Sequence, residues 1–178
     1  MPDNNIVELK TYLENLRVPF LLCYPAKSFL NSKEGLSFLE NFTMKFGNDV
    51  VTYQILANTL KDDHLMKMAL DGLEASILKS TTVDTIEAVR KYCERTNQTK
   101  ILTTQDWYQF FRMVRNCFSH DNIWNFNDYD RKILPITYGG KTIEESMDGT
   151  EIRWEFYNAH IAWRLFEDVK EFVDKQLR

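Results

Sequence analysis

Long apolar runs, an excess of positive charge and paired cysteines are all missing from this chain. No apolar run approaches the ~20 residues that span a bilayer. The N-terminus, M-P-D-N-N-I-V-E-L-K, is acidic and polar and has no signal-peptide core. A formal net charge of −4 argues against a protein coated in positive charge for indiscriminate nucleic-acid binding, while leaving room for a local basic site. Cys23, Cys93 and Cys117 are odd in number, far apart and free of any C-x-x-C, which suggests neither a disulfide framework nor a thiolate zinc site. The three histidines, His64, His120 and His160, include no H-x3-H pair, so no built-in metal is expected and no cofactor is called for. Gly-rich phosphate loops, the Walker pattern and G-x-S-x-G are absent as well. These absences predict a soluble, cytoplasmic protein of a reducing compartment, with no membrane partner.

What is present is globular: 178 residues, 44% hydrophobic and 13% aromatic, enough for one domain over residues 1–178 with a sizeable core. Asn4 to Leu16 reads as a short amphipathic helix through Ile6, Leu9, Leu13 and Leu16. Pro19 and Pro25 then bracket an apolar segment too short to classify by periodicity. Ser32 is a plausible N-cap for a helix through Leu36, Leu39, Phe42 and Phe46, stopped by Gly47. Val50 to Leu60 and Leu65 to Leu78 read as two further helices. Thr81 with Asp84, and Thr103 with Asp106, resemble capping boxes ahead of Val83–Glu94 and the next helix. Ile133–Tyr138, Gly139-Gly140 and Lys141–Glu145 fit a β-hairpin, because Gly-Gly supplies the positive φ angles of a two-residue turn. Asp148-Gly149 marks another turn, and a long final helix is expected from about Ile152. The predicted fold is a mainly helical bundle with one hairpin inserted at about 132–146.

The stretch Trp107 to Asn122, W-Y-Q-F-F-R-M-V-R-N-C-F-S-H-D-N, carries the chemistry. Trp107, Phe110, Phe111, Val114 and Phe118 have the spacing of one apolar helix face. At 100° per residue they span roughly 300° through 0° to 40°. Arg115, Ser119, Arg112, Asn116 and His120 then fall at roughly 80°, 120°, 140°, 180° and 220° on the other side. An imidazole exchanges protons near neutral pH. A guanidinium keeps its charge and offers phosphate oxygens a planar fork. Asn116 lies four residues before His120, placed to orient the ring or a substrate, and His120 precedes Asp121-Asn122, a helix end that suits a cation.

Arg115-Asn116-Cys117-Phe118-Ser119-His120 has the form R-N-x-x-x-H, and it resembles the R-x4-6-H signature of HEPN-domain ribonucleases. Composition alone yields such a string in roughly one shuffled chain in a hundred. The layout is similar too, over roughly Ile55 to Leu177: a helical domain with the motif on a late helix and a long helix after it. The hairpin and the N-terminal helices go beyond a minimal HEPN core. The resemblance implies metal-independent cleavage of RNA to 2′,3′-cyclic phosphate and 5′-OH ends, with Arg115, His120 and Asn116 as catalytic residues and Arg112 and Ser119 as weaker substrate contacts. It also implies a homodimer with a composite active site, in stress response, toxin–antitoxin or phage defence, with an antitoxin or regulatory protein as a further partner.

Other readings of the same residues stand beside it. Arg112 and Arg115 suit ion pairing with acidic residues elsewhere, and His120 suits a helix end for structural reasons alone. Ser119 reads as a bystander. Trp124, Phe126 and Tyr129 suit base stacking, but aromatics after a helix more often close a core. His64 fits a helix start and His160 a structural place on the last helix. Arg90-Lys91 with Arg95 and Lys100 form a basic cluster for which a solvated face is the simpler account. The alternatives at the level of function are a catalytically inactive HEPN-like module binding nucleotide, RNA or protein, and a purely structural helical domain.

Overall fold

Two prolines do not end the first helix. The computed structural model describes residues 5–178, and its helix α1 runs unbroken over Ile6–Leu30 through Pro19 and Pro25. Asn4, placed in the expected helix, lies outside the described residues. A proline removes one amide donor to the carbonyl four residues back. The carbonyls concerned belong to Asn15 and Leu21, both exposed residues, so the lost bonds lie away from the core.

The described residues divide into two compact units, 5–17 with 78–178, and 18–77. In the second unit, Ser32 caps α2 (Lys33–Asn41) by accepting from the Gly35 amide at 3.0 Å, as expected. The helix then stops at Asn41, and Phe42 and Phe46 are not helical. Thr43–Phe46 (β1) pairs antiparallel with Asp49–Thr52 (β2) around Gly47, whose φ is +61°. The β-branched run Val50-Val51-Thr52 favours extended backbone over the helix read there, so only Gln54–Thr59 (α3) is helical. Leu39, Ala57, Leu60, Met66 and Leu70 form this unit's core.

Helix α4 covers Asp63–Arg95 in one piece, where two helices were expected. The Thr81–Asp84 signature is not a start signal here. Thr81, Thr82 and Thr85 are buried inside the helix, and Thr82 Oγ1 donates back to the Leu78 carbonyl at 2.6 Å. After α5 (Thr99–Thr103), the second apparent capping box also fails. Thr103 Oγ1 donates to the Lys100 carbonyl, and α6 (Tyr108–Ser119) begins with no side-chain cap at Trp107.

Trp124 and Phe126 are core residues, whereas Tyr129 is exposed on α7 (Asp128–Ile133), a short helix that periodicity did not show. The hairpin forms on its expected Gly-Gly turn, with Gly139 and Gly140 at φ +56° and +77°, but its arms are shorter than expected, β3 (Ile136–Tyr138) and β4 (Lys141–Ile143), since Ile133 ends α7. The last helix, α8, spans Ala159–Lys175 and starts later than expected, because the Asn158 side chain caps it by accepting from the Ile161 amide. Trp154 and Tyr157 therefore precede it. Mainly helical architecture with small two-stranded sheets is the result.

Within the first unit, α6 packs on the hairpin, on α8 and on the segment between them. Phe110 meets Tyr138 of the hairpin at 5.4 Å between ring centroids, and Trp107 meets Phe172 of α8 at 5.7 Å. Phe118 packs edge-on against Tyr157 at 5.4 Å. The Tyr157 hydroxyl, fully buried, shares a 2.7 Å hydrogen bond with Thr82 of α4. Burial pushes that phenol's pKa up, and the Thr82 bond only partly opposes the shift. No described helix is long and apolar enough to cross a membrane.

Candidate functional site

All five apolar-face residues of the central stretch, Trp107, Phe110, Phe111, Val114 and Phe118, are buried, so the opposite face of α6 is held in a fixed direction. That face does not act as one patch. Its five polar residues go to three different environments.

Arg112 turns toward α7. Its guanidinium is ion-paired with Asp130, its Nε donates to Gln109 Oε1 at 2.9 Å, and its central carbon lies 5.3 Å from the Tyr129 ring centre. Asp130 is almost fully buried and closes the α7 capping box by accepting from the Asn127 amide at 3.2 Å. A buried carboxylate needs a charged partner, and Arg112 supplies it. A cavity of about 430 Å³ beside this pair is lined by Thr103, Tyr108, Gln109, Arg112 and Tyr129.

Arg115 turns toward α4. One Nη lies 2.6 Å from Glu87 Oε1, the other donates to Asn116 Oδ1 at 3.1 Å, and its Nε is buried with no hydrogen-bond partner among the described residues. The Asn116 amide thus orients Arg115, not His120. Glu87 was not singled out from sequence. It also accepts from Arg90 at 3.1 Å and lies 3.8 Å from Lys91, so the Arg90-Lys91 pair is brought into one ion cluster with the motif arginine. Burial works against charge on the Glu87 carboxyl, but the Arg90 hydrogen bond and the fields of Arg115, Arg90 and Lys91 outweigh it and hold its pKa below the usual range. With Glu94 paired to Arg90, three cations here face two carboxylates.

His120 ends α6. Its amide donates to the Cys117 carbonyl at 3.1 Å, and its own carbonyl accepts from Ile123 at 2.9 Å. Asp121 and Asn122 follow in the left-handed region, at φ +54° and +66°, and terminate the helix as expected. Both His120 and Ser119 are exposed. Among the described residues, no hydrogen bond or ion pair engages the His120 imidazole or joins it to Arg115, Asn116 or Ser119.

The turn beyond His120 is tied down on two sides. Lys79 of α4 donates to Asn122 Oδ1 at 3.2 Å, and the Ile152 amide donates to the Asn122 carbonyl at 2.8 Å. The segment so anchored, 146–147 with 150–156, lines a cavity of about 720 Å³ that includes Trp154, itself stacked on Phe118. Lys79 and Arg153 add positive charge to this region that no sequence motif signalled.

The cysteines offer no nucleophile. All three are buried and free, and burial pushes the Cys117 and Cys93 thiols up to about 12. His64 sits exposed in the first turn of α4, where its amide donates to Asp62, and His160 is exposed at the start of α8. Among the described residues, no three His, Cys, Asp or Glu side chains are grouped to hold a metal ion.

Comparison of the chain with protein-family models, with curated proteins and with solved structures finds no match.

Proposed function

We propose that the chain is a metal-independent endoribonuclease of HEPN type. The observation that carries this reading is the His120 imidazole, exposed and unengaged among the described residues, at the end of the helix whose Arg115 sits in a cation cluster. The motif pattern R-N-x-x-x-H supports it, as does the firm anchoring of α6 by its buried face.

In this reading the 2′-oxygen of a ribose attacks the adjacent phosphorus. His120 moves the proton, the 5′-oxygen leaves and is protonated, and a 2′,3′-cyclic phosphate remains. Arg115 binds the phosphate and stabilises the charge that builds on its oxygens. Asn116 orients the guanidinium that does so. Arg112 and Ser119 are weaker substrate contacts, and Arg112 offers only what Asp130 and Gln109 leave open. The enzyme works as a homodimer in which two copies of the motif share one cleft. It acts in the cytoplasm in stress response, toxin–antitoxin or phage defence, with an antitoxin or regulatory protein restraining it.

The test is RNA cleavage in EDTA by the wild type and by His120→Ala, with product ends mapped. Cyclic phosphate ends that vanish in the variant support the reading. Cleavage that survives the substitution removes His120 from the mechanism.

A second reading is favoured by one observation. Glu87 already occupies Arg115 at 2.6 Å, so an incoming phosphate must compete with a carboxylate. A HEPN-like module that binds nucleotide, RNA or protein without turnover accommodates that pairing. It predicts binding unchanged by His120→Ala and no cleavage by either protein.

A further inference from the structure

Apolar side chains are left exposed in one part of the chain far more than in the other. Among the described residues, fifteen of the twenty exposed large hydrophobic side chains belong to residues 18–77. Four of that set on α1, together with Pro25, form a stripe. At 100° per residue, Val18, Leu21, Leu22, Pro25 and Phe29 fall at roughly 0°, 300°, 40°, 340° and 20°, a band about 100° wide. That is the width of a face that packs on another helix, yet all five residues are exposed. Phe38 of α2 extends the band, since its ring meets Phe29 at 5.9 Å and is itself about half exposed.

The band carries no free charge. Lys27 is the one charged residue between Val18 and Asn31, and it is committed to Glu74 and Asp71. Residues 18–77 hold five lysines against seven aspartates and glutamates, so the unit is slightly acidic. An anionic lipid surface selects basic flanks, which this unit does not have. An uncharged apolar band also meets its own copy across a two-fold axis without placing like charges together.

The area fits that occupant. Val18, Leu21, Leu22, Phe29 and Phe38 are each exposed by 45–59%. At roughly 80–100 Å² apiece they present about 450 Å² per protomer, the size of the largest apolar patch on an ordinary monomer, which is often a functional one. Two such bands face to face supply ~900 Å² of apolar core. With a polar rim this reaches the ~1,200–2,000 Å² of a stable interface.

We propose that the chain pairs with a second copy of itself through the Val18–Leu22–Pro25–Phe29 band of α1, extended by Phe38. This pairing goes beyond the proposed function: it rests on residues 18–38, in the unit that does not carry the α6 motif. A dimer built on this band stands whether or not the chain cleaves RNA.

The experiment is sedimentation of the full chain at tens of micromolar, wild type against Leu22→Asp/Phe29→Asp, with circular dichroism to show that both are folded. The expected result is twice the 21.1 kDa chain mass for the wild type and the single chain mass for the variant. Hydrogen exchange on the unmodified chain at two concentrations gives a reading free of substitutions: amides 18–29 are expected to exchange more slowly at the higher one. A monomeric wild type overturns both this dimer and the shared cleft. A dimer that survives the double variant, with exchange at 18–29 independent of concentration, overturns the band and leaves the shared cleft standing. Wild type that stays monomeric yet sediments with phosphatidylserine vesicles replaces the second copy with a membrane surface.

Discussion

Glu87 on α4 holds Arg115 on α6, with Oε1 2.6 Å from Nη2, and the same carboxylate gathers Arg90 and Lys91. The pair sets where the motif arginine points and how available it is. Replacing Glu87 with Gln removes a partly buried partner from three cations. Stability is expected to fall by about 1–3 kcal/mol, a partial version of breaking a buried pair. Arg115 is released at the same time, so RNA affinity is expected to rise and its salt dependence to steepen. Chemical denaturation and filter binding at two salt concentrations measure the two effects. Affinity that does not rise argues against Arg115 as a phosphate contact.

The same carboxylate makes a pH dependence. Its pKa is held below the ordinary 4.5 in the folded chain, so below that pH the unfolded chain takes up the proton first. The stabilisation is fully present above pH 4.5 and disappears as pH falls through the folded value. The difference in Tm between wild type and Glu87→Gln is therefore expected to be constant from pH 7 down to about 5 and to shrink below 4.5. A difference that grows with acidity contradicts the assignment.

Arg112 is a structural residue whatever else it does. Arg112→Ala leaves the buried Asp130 carboxylate without its cation, and a loss of about 3–5 kcal/mol is expected. Arg112→Ala/Asp130→Ala is expected to cost less than the sum of the single variants, because each single variant strands the other residue. Equal and additive losses in urea denaturation speak against the pairing.

His120→Ala makes the opposite prediction for stability. The side chain is exposed and engages nothing among the described residues, so stability is expected to stay within about 0.5 kcal/mol. Loss of cleavage with an unchanged Tm assigns the effect to chemistry. A large drop in Tm shows that His120 has a structural partner.

Gly35 is the glycine that tolerates least. A Cβ there comes within 2.0 Å of the Phe29 carbonyl oxygen, a backbone atom that has no rotamer to give. Gly35→Ala is expected to cost about 1–3 kcal/mol as overpacking. Hydrogen exchange reads it as faster exchange at Leu39 and its neighbours.

The sequence was most legible where a signal is local and repeated. The α6 face from Trp107 to Phe118 was readable because five bulky apolar residues recur at helical spacing and no competing signal interrupts them. The Gly139-Gly140 hairpin was readable because two adjacent positive φ angles suit glycine and little else. Ser32 as a cap was readable for the same kind of reason. Trp124 and Phe126 are core, as expected of aromatics that follow a helix, whereas Tyr129, read with them, is exposed.

The failures came where local signals had more than one use. Thr81 and Thr103 look like caps, yet Thr81 is buried within α4 and the Thr103 hydroxyl bonds back to a carbonyl earlier in its own helix. Pro19 and Pro25 look like breaks, yet the donors they remove face Asn15 and Leu21, both exposed residues, and the helix runs on. Gly47 looked like a helix stop and is a hairpin turn, because positive φ serves both. Residues 42–52 carried aromatic and β-branched side chains that either helix or strand can use.

The sequence by itself determined a mainly helical chain, the buried face of its central helix, and the residue types Arg, Asn and His offered on the other side. Periodicity and residue chemistry are properties of neighbours along the chain. Only the tertiary structure decided what those side chains do. It gave Arg112 to Asp130 and Arg115 to Glu87, aimed Asn116 at Arg115, and left His120 exposed at the helix end. Such pairings depend on which distant helix supplies the opposite charge within hydrogen-bonding distance, and no local pattern records that.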